Sequence, residues 1–133
     1  LPQDILVAND RTGKSKPEPC PVKDISSGQS IVDIGPETIK HFCEIIENSS
    51  MVIWNGPMGL YEIDKFGEGT RAIAKAVVSV PFSVIGGGDT IAAMNTFGLL
   101  GGMEFVSTGG GAMREFLAGN KLPGLEALGY YKR

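Results

Sequence analysis

The sequence predicts an α/β fold of three layers, α/β/α, around a mostly parallel, Rossmann-like sheet, and only part of such a domain. Two observations carry that class. Short apolar runs alternate with segments of helical periodicity, and the runs are apolar throughout rather than at every second residue, as in strands covered on both faces. The 19 glycines, moreover, fall largely in short clusters directly after those runs, where backbone must turn sharply or approach another group closely.

Taken in order, residues 5–8 read as a short strand. Residues 9–21 are polar and contain three prolines, which predicts an exposed loop or hairpin connection. Residues 31–34 form a second apolar run, after which Gly35-Pro36 opens a helix carrying Ile39, Phe42, Cys43 and Ile46 on one face and Glu37, Lys40, His41, Glu44 and Glu47 on the other. Residues 51–54 are a continuous apolar strand. A helix begins near Gly67 with Ile73, Ala76 and Val77 as its buried stripe, and residues 83–85 are the next strand. Residues 89–97 read as a short helix and 104–107 as a strand. Met113, Phe116 and Leu117 then mark a helix ended by Gly119, and residues 122–128 a terminal turn or helix.

With 133 residues, 42% of them hydrophobic, and a net charge of −3, the chain is one domain or less and not disordered. No apolar run approaches the roughly 20 residues of a membrane-spanning helix, and the first residues have neither the basic start nor the apolar stretch of a secretion signal. A cytoplasmic protein is expected, without a membrane partner. Cys20 and Cys43 lie in unlike contexts, which predicts reduced thiols. The 12 basic residues are scattered, so no nucleic-acid partner is expected. There is no internal repeat. The chain lacks an initiator Met and already enters a strand at residue 5, so it is expected to be part of something larger.

Three clusters share one topological place. Asn55-Gly56-Pro57-Met58-Gly59, Gly86-Gly87-Gly88-Asp89-Thr90 and Thr108-Gly109-Gly110-Gly111 each follow a strand. Right-handed crossovers gather such loops on the edge where open α/β sheets bind ligands. Two of the loops lead into helices, whose first N–H groups favour phosphate. Any one of these turns could be only a strand-to-helix connection; three on one edge favour a site. Asp89 is either an N-cap or a ligand for Mg²⁺ beside a phosphate cradle. Glu62 is either a solvated charge or an acceptor for ribose hydroxyls.

Other candidates fail on their context. Gly13-Lys14-Ser15 is similar to the end of a P-loop, but Ala8 stands at its first glycine position, and Pro17 and Pro19 forbid the following helix. Residues 67–72 fit a dinucleotide fingerprint formally, yet the preceding strand ends at Trp54, so they are read as a helix start. His41 sits on a charged helix face without a nucleophile arrangement around it. No Cys or His spacing suits a metal.

The ordered set Trp54-Asn55-Gly56-Pro57-Met58-Gly59, Gly86-Gly87-Gly88-Asp89-Thr90 and Ser107-Thr108-Gly109-Gly110-Gly111-Ala112 resembles the C-terminal nucleotide-binding domain of phosphoglycerate kinases. Asp33-Ile34-Gly35-Pro36 and Leu122-Pro123-Gly124 support the match, which extends over essentially the whole chain and is weakest in residues 9–30. The resemblance implies phosphoryl transfer between 1,3-bisphosphoglycerate and ADP, giving 3-phosphoglycerate and MgATP, in a monomeric full-length enzyme.

It implies that Asn55, Gly56, Pro57 and Leu60 line the nucleotide cleft, that Glu62 binds the ribose and that Asp89 holds Mg²⁺. Gly86, Gly87, Gly88 and Thr90 would lie at the phosphates of ADP or ATP, and Gly109 and Gly110 would face the transferring group. By the same resemblance residues 1–133 are the second half of the nucleotide-binding lobe. The N-terminal lobe, which holds the phosphoglycerate, and the lysine-bearing first part of the nucleotide lobe lie outside the chain, so the piece is expected to be inactive alone. Two rivals are a dinucleotide-dependent oxidoreductase, which should carry a complete fingerprint on a strand-to-helix turn, and a noncatalytic phosphate-binding module.

Overall fold

A computed structural model describes residues 1–131. The chain forms two three-stranded sheets. The first contains β1 (Asp4–Ala8), β2 (Glu18–Pro21) and β3 (Ser30–Ile34) in the order β2-β1-β3, and both pairings are antiparallel. The second contains β4 (Met51–Asn55), β5 (Phe82–Gly86) and β6 (Phe105–Ser107), all parallel, in the order β4-β5-β6. The helices are α1 (Pro36–Glu47), α2 (Glu68–Val78), α3 (Gly88–Thr96), α4 (Gly110–Leu117) and α5 (Pro123–Ala127).

The parallel half follows the expectation closely; the first half departs from it. Residues 18–21 are a strand rather than only loop, and β1 to β3 pair antiparallel. Pro19 and Pro21 lie opposite Leu6 and Asp4 on an outer strand, the one position in a sheet where a residue without an N–H is tolerated. The loop before β2 is organised by Asp10. Its carboxylate accepts the N–H of Thr12, Lys14 and Ser15 at 2.8, 3.1 and 2.7 Å and the Thr12 hydroxyl at 2.6 Å. Hydrogen bonds from Ser15 and Thr12 hold that carboxyl well below the ordinary Asp range. The Gly13-Lys14-Ser15 turn thus already cradles an anion, its own Asp10, as befits a loop and not a P-loop.

Alternate residues of the parallel sheet point to opposite faces. Trp54 and Ile85 pack with Ile73, Ala74 and Val77 of α2 and Met94 of α3 in one core that also includes Ile34. The other face is largely open: Met51 is 52% exposed, Ile53 43%, Phe82 43% and Phe105 59%. These side chains line up across the sheet, because Met51 pairs with Phe82, and Ile53 with Val84, which pairs with Phe105. The apolar composition of the strands anticipates cover on both faces, and the described residues supply most of it on one.

The two halves are joined through helix starts. Helix α1 has Gly35 at its N-cap and no side-chain cap of its own. Asp4 of β1 replaces it, accepting the N–H of Glu37 at 3.2 Å and of Thr38 at 2.8 Å and the Thr38 hydroxyl at 2.7 Å. Burial pushes the Asp4 carboxyl up, but the Thr38 and Glu37 donors outweigh it and the net shift is downward. Helix α2 likewise starts at a glycine, Gly67, and Asp33 of β3 accepts the Gly69 N–H at 2.7 Å. Asp33 also accepts the Ile34 N–H at 2.8 Å, and a Cβ at Gly59 or at Gly69 would collide with its carboxylate.

Asp33 is 1% exposed. Burial, and less strongly the Glu68 carboxylate, push its carboxyl up to about 6 against the pull of the Gly69 and Ile34 N–H groups. A carboxyl raised in the native state favours folding when protonated. Its contribution is full below the unfolded value, 3.8, declines as pH rises to about 6, and stays low above that. Asp33→Asn cannot ionise, so the stability of the variant relative to the parent should rise across that interval and level off above it. Urea unfolding as a function of pH measures this, and a constant difference would contradict it.

Candidate functional site

The parallel register places Asn55, Gly86 and Ser107 side by side, so the three glycine-bearing loops leave the sheet together at the carboxyl ends of its strands. They also touch. Gly87 N–H donates to the Ser107 carbonyl at 3.3 Å. A Cβ at Gly110 would collide with the Gly87 backbone, and one at Gly86 with the Met113 side chain, while the Asn55 amide lies against Gly86, Gly87 and Gly110. Asn55 is therefore the hub of the edge.

Two kinds of glycine are present. Gly86 and Gly110 are required by close packing, and Gly56 and Gly87, at φ of +101° and +94°, by backbone conformation. At Gly88 and Gly111 a Cβ would meet nothing within 4 Å, and at Gly109 only Ala112 at an ordinary 3.8 Å. Those three are not glycine for any reason internal to the fold. They lie at the starts of α3 and α4, where a missing Cβ leaves backbone N–H groups open to a ligand.

The helix starts differ in the same sense. Helices α1 to α4 all begin at a glycine N-cap without a side-chain cap: Gly35, Gly67, Gly87 and Gly109. At α1 and α2 a buried carboxylate supplies the acceptor. At α3 the first intrahelical bond is Ile91 N–H to the Gly87 carbonyl, at 3.1 Å, and at α4 Met113 N–H to the Gly109 carbonyl, at 2.9 Å. The preceding N–H groups lie outside the helical ladders, as helix geometry requires, and no side chain among the described residues caps them. An anion is the natural complement of two such ends side by side.

The first loop is of another nature, since its donors are already engaged. Gly56 N–H donates to Thr90 Oγ1 at 2.7 Å, the N–H groups of Met58 and Gly59 to Thr70 Oγ1 at 3.1 Å each, and Leu60 N–H to the Val32 carbonyl at 3.0 Å. Pro57 has no N–H, and Trp54 Nε1 donates to the Gly56 carbonyl at 2.6 Å. The loop is rigid and offers a ligand carbonyls, the exposed Asn55 and the half-buried Pro57. Leu60 is half-buried against the small core of Ala8, Val32 and Phe66. Thr90 is completely buried. Its hydroxyl oxygen accepts the Gly56 N–H and so fixes the turn that follows β4.

Asp89 is the second residue of α3, exposed, and makes no capping hydrogen bond. Of its two readings, the cap is thereby excluded. Glu62 is exposed, and both carboxylates lie near Tyr61: burial pushes the Tyr61 hydroxyl up, and the charges of Glu62 and Asp89 add to the shift. No group of three or more Asp, Glu, His or Cys able to hold a metal occurs among the described residues. Asp89 could therefore offer a single carboxylate, which suits Mg²⁺ shared with phosphate oxygens and water better than a cage built by protein alone. Sequence reasoning missed Asp33 and Thr70, since nothing near either in the chain reveals what it touches.

A parallel sheet with glycine-rich turns at its carboxyl end and two uncapped helix starts defines an α/β protein with its loops gathered on the edge where such sheets take ligands. Residues 1–120 match the family described as phosphoglycerate kinase. The chain belongs to the phosphoglycerate kinase family. It is 46% identical over 129 residues to a phosphoglycerate kinase of Roseiflexus castenholzii, covering 96% of this chain and 33% of that protein. Its fold is similar to that of phosphoglycerate kinase from Coxiella burnetii, with a TM-score of 0.84, 40% identity, and coverage of 90% of this chain and 32% of the other. The enzyme from Pyrococcus horikoshii gives 0.81, 36%, 99% and 33%. These relatives are kinases, and the chain spans about one third of their length.

The two kinds of glycine make opposite demands on a methyl group. Gly110→Ala should destabilise the chain by about 1–3 kcal/mol, since backbone rather than a flexible side chain must yield. Gly111→Ala, with open space and helical backbone, should be neutral or stabilising by up to about 1 kcal/mol. Thermal unfolding of the two variants provides the comparison, and equal effects would refute the distinction.

Proposed function

We propose that the chain is the second half of the nucleotide-binding lobe of a phosphoglycerate kinase. It supplies part of the Mg-nucleotide site for phosphoryl transfer between 1,3-bisphosphoglycerate and ADP, with 3-phosphoglycerate and MgATP as products. The observation that carries this reading is the pair of helix starts at α3 and α4, uncapped and lined by glycines with no packing role, in a chain of this family.

The three loops then divide the ligand between them. The first has no free N–H and presents Asn55, Pro57 and, further along, Leu60 and Glu62, which suits the base and ribose, with Glu62 accepting from ribose hydroxyls. The second and third present N–H groups at Gly88 and Asp89 and around Gly109 and Gly110, which suits phosphate oxygens. Asp89 would hold Mg²⁺ here, and the ion when bound would supply charge neutralisation. In this reaction class the protein positions the groups and stabilises developing charge rather than forming a bond itself.

At the edge the chain contributes dipoles, with no Lys or Arg in residues 55–59, 86–90 or 108–111. Its net charge is −3, and Arg71, at the first turn of α2, is engaged with Asp64 at 2.7 Å and stacked 4.9 Å over the Phe97 ring. The cationic groups that hold phosphoglycerate and balance the transferring phosphoryl belong, in this reading, to the remaining two thirds of the protein. The rest of the nucleotide lobe packs on the apolar face of Met51, Ile53, Phe82 and Phe105.

Three measurements test the proposal. Asp89→Asn should weaken MgADP binding measured by calorimetry at least about tenfold, because losing even an outer-shell partner of a metal costs that much, and an unchanged affinity would remove Asp89 from the metal. In a full-length enzyme carrying this segment, Glu62→Ala should raise the KM for ADP and leave that for 3-phosphoglycerate unchanged; an unchanged KM for ADP would return Glu62 to a solvated charge. The isolated chain should show no turnover of 3-phosphoglycerate and MgATP in a coupled assay, since positioning of the acceptor accounts for about 7–11 kcal/mol of barrier reduction. Clear turnover by chain free of contaminating enzyme would overturn the partition.

A further inference from the structure

The geometry points to Thr70 as a positioning residue for the ligand edge, a part taken by no motif and by none of the residues assigned above; the inference rests on the nucleotide reading just given. Thr70 lies in the first turn of α2 and is completely buried. A buried threonine on a helix ordinarily bonds back to its own helix. Here Oγ1 instead accepts two successive N–H groups of a different segment, those of Met58 and Gly59. With Pro57 lacking an N–H, one oxygen fixes the middle of the loop, between the Thr90 bond at Gly56 and the Val32 bond at Leu60.

The position of Thr70 is itself fixed. Its neighbour Gly69 donates to the buried Asp33 carboxylate, which also abuts Gly59. A chain of contacts therefore runs from β3 through Asp33 to the start of α2, and through Thr70 to the loop that presents Asn55 and Pro57. Removing the Thr70 oxygen leaves two adjacent, part-buried donors without their acceptor, and the relief open to them is movement of the loop. The loop backbone is thus set by a hydroxyl that makes no contact with ligand.

Thr70→Val keeps the shape and removes the acceptor, and Thr70→Ser keeps the acceptor and removes the methyl group. In the valine variant the Met58 and Gly59 amides should exchange with solvent faster by about tenfold or more, while amides of β5 stay at parental rates, and MgADP affinity by calorimetry should fall about tenfold. Serine should restore the slow exchange and the affinity to within about twofold. A merely structural threonine would give a lower unfolding midpoint in both variants with parental exchange at Met58 and Gly59, and that result overturns the inference. If the parent itself binds no MgADP, the nucleotide reading fails, and amide exchange still decides whether Thr70 holds the loop.

Discussion

The first N–H groups of a helix must find acceptors, and how the four main helices meet that requirement organises this chain. Each begins at a glycine and none carries a local cap. Two are completed by carboxylates from remote strands, Asp4 at α1 and Asp33 at α2. Both residues come from the antiparallel sheet, so the same contacts that cap the helices dock that sheet onto the rest of the fold. The two carboxylates do so under different conditions. Asp4 has three donors and its ionised form is favoured. Asp33, deeper and with two donors, is held against its own desolvation, a penalty the protein tolerates where a group fixes position. Helices α3 and α4 have no such carboxylate, and they alone open onto the edge with three converging loops.

The parallel half was legible because its signals are local. Residues 51–54, 83–85 and 104–107 are apolar runs bounded by glycine clusters, and the helices between them show the right period. The antiparallel half was less so. Residues 18–21 contain two prolines and no apolar alternation, and only their place at a sheet edge makes them a strand. The open face of the parallel sheet was invisible for a related reason: an apolar strand residue looks the same in sequence whether its cover lies within the chain or outside it.

At the candidate site the sequence located the edge but did not sort its residues. Gly109, Gly110 and Gly111 are identical letters, yet only Gly110 has its Cβ position filled by the Gly87 backbone. Thr90 stands in the glycine motif, yet its oxygen faces inward to Gly56. Thr70 stands in no motif and holds two donors of the same loop. These assignments depend on pairs 11 to 34 residues apart in the chain, and periodicity and spacing carry no information about such pairs. For Asp89 the structure removes one of the two readings, since it makes no capping bond.

The charges of the edge bear on what it can hold. Asp89 and Glu62 are exposed carboxylates close enough to Tyr61 to raise its hydroxyl together, in a chain with an excess of negative charge. Beside helix starts suited to phosphate, an unneutralised carboxylate repels the anion those starts attract. A cation between them would reconcile the two features, as when one carboxylate shares Mg²⁺ with phosphate oxygens. In the proposed reading Asp89 would make nucleotide binding at this edge depend on the metal, while the neutral backbone donors would set orientation. On that proposal the chain would contribute orientation and a metal ligand, and balancing the phosphoryl charge would fall to side chains beyond it.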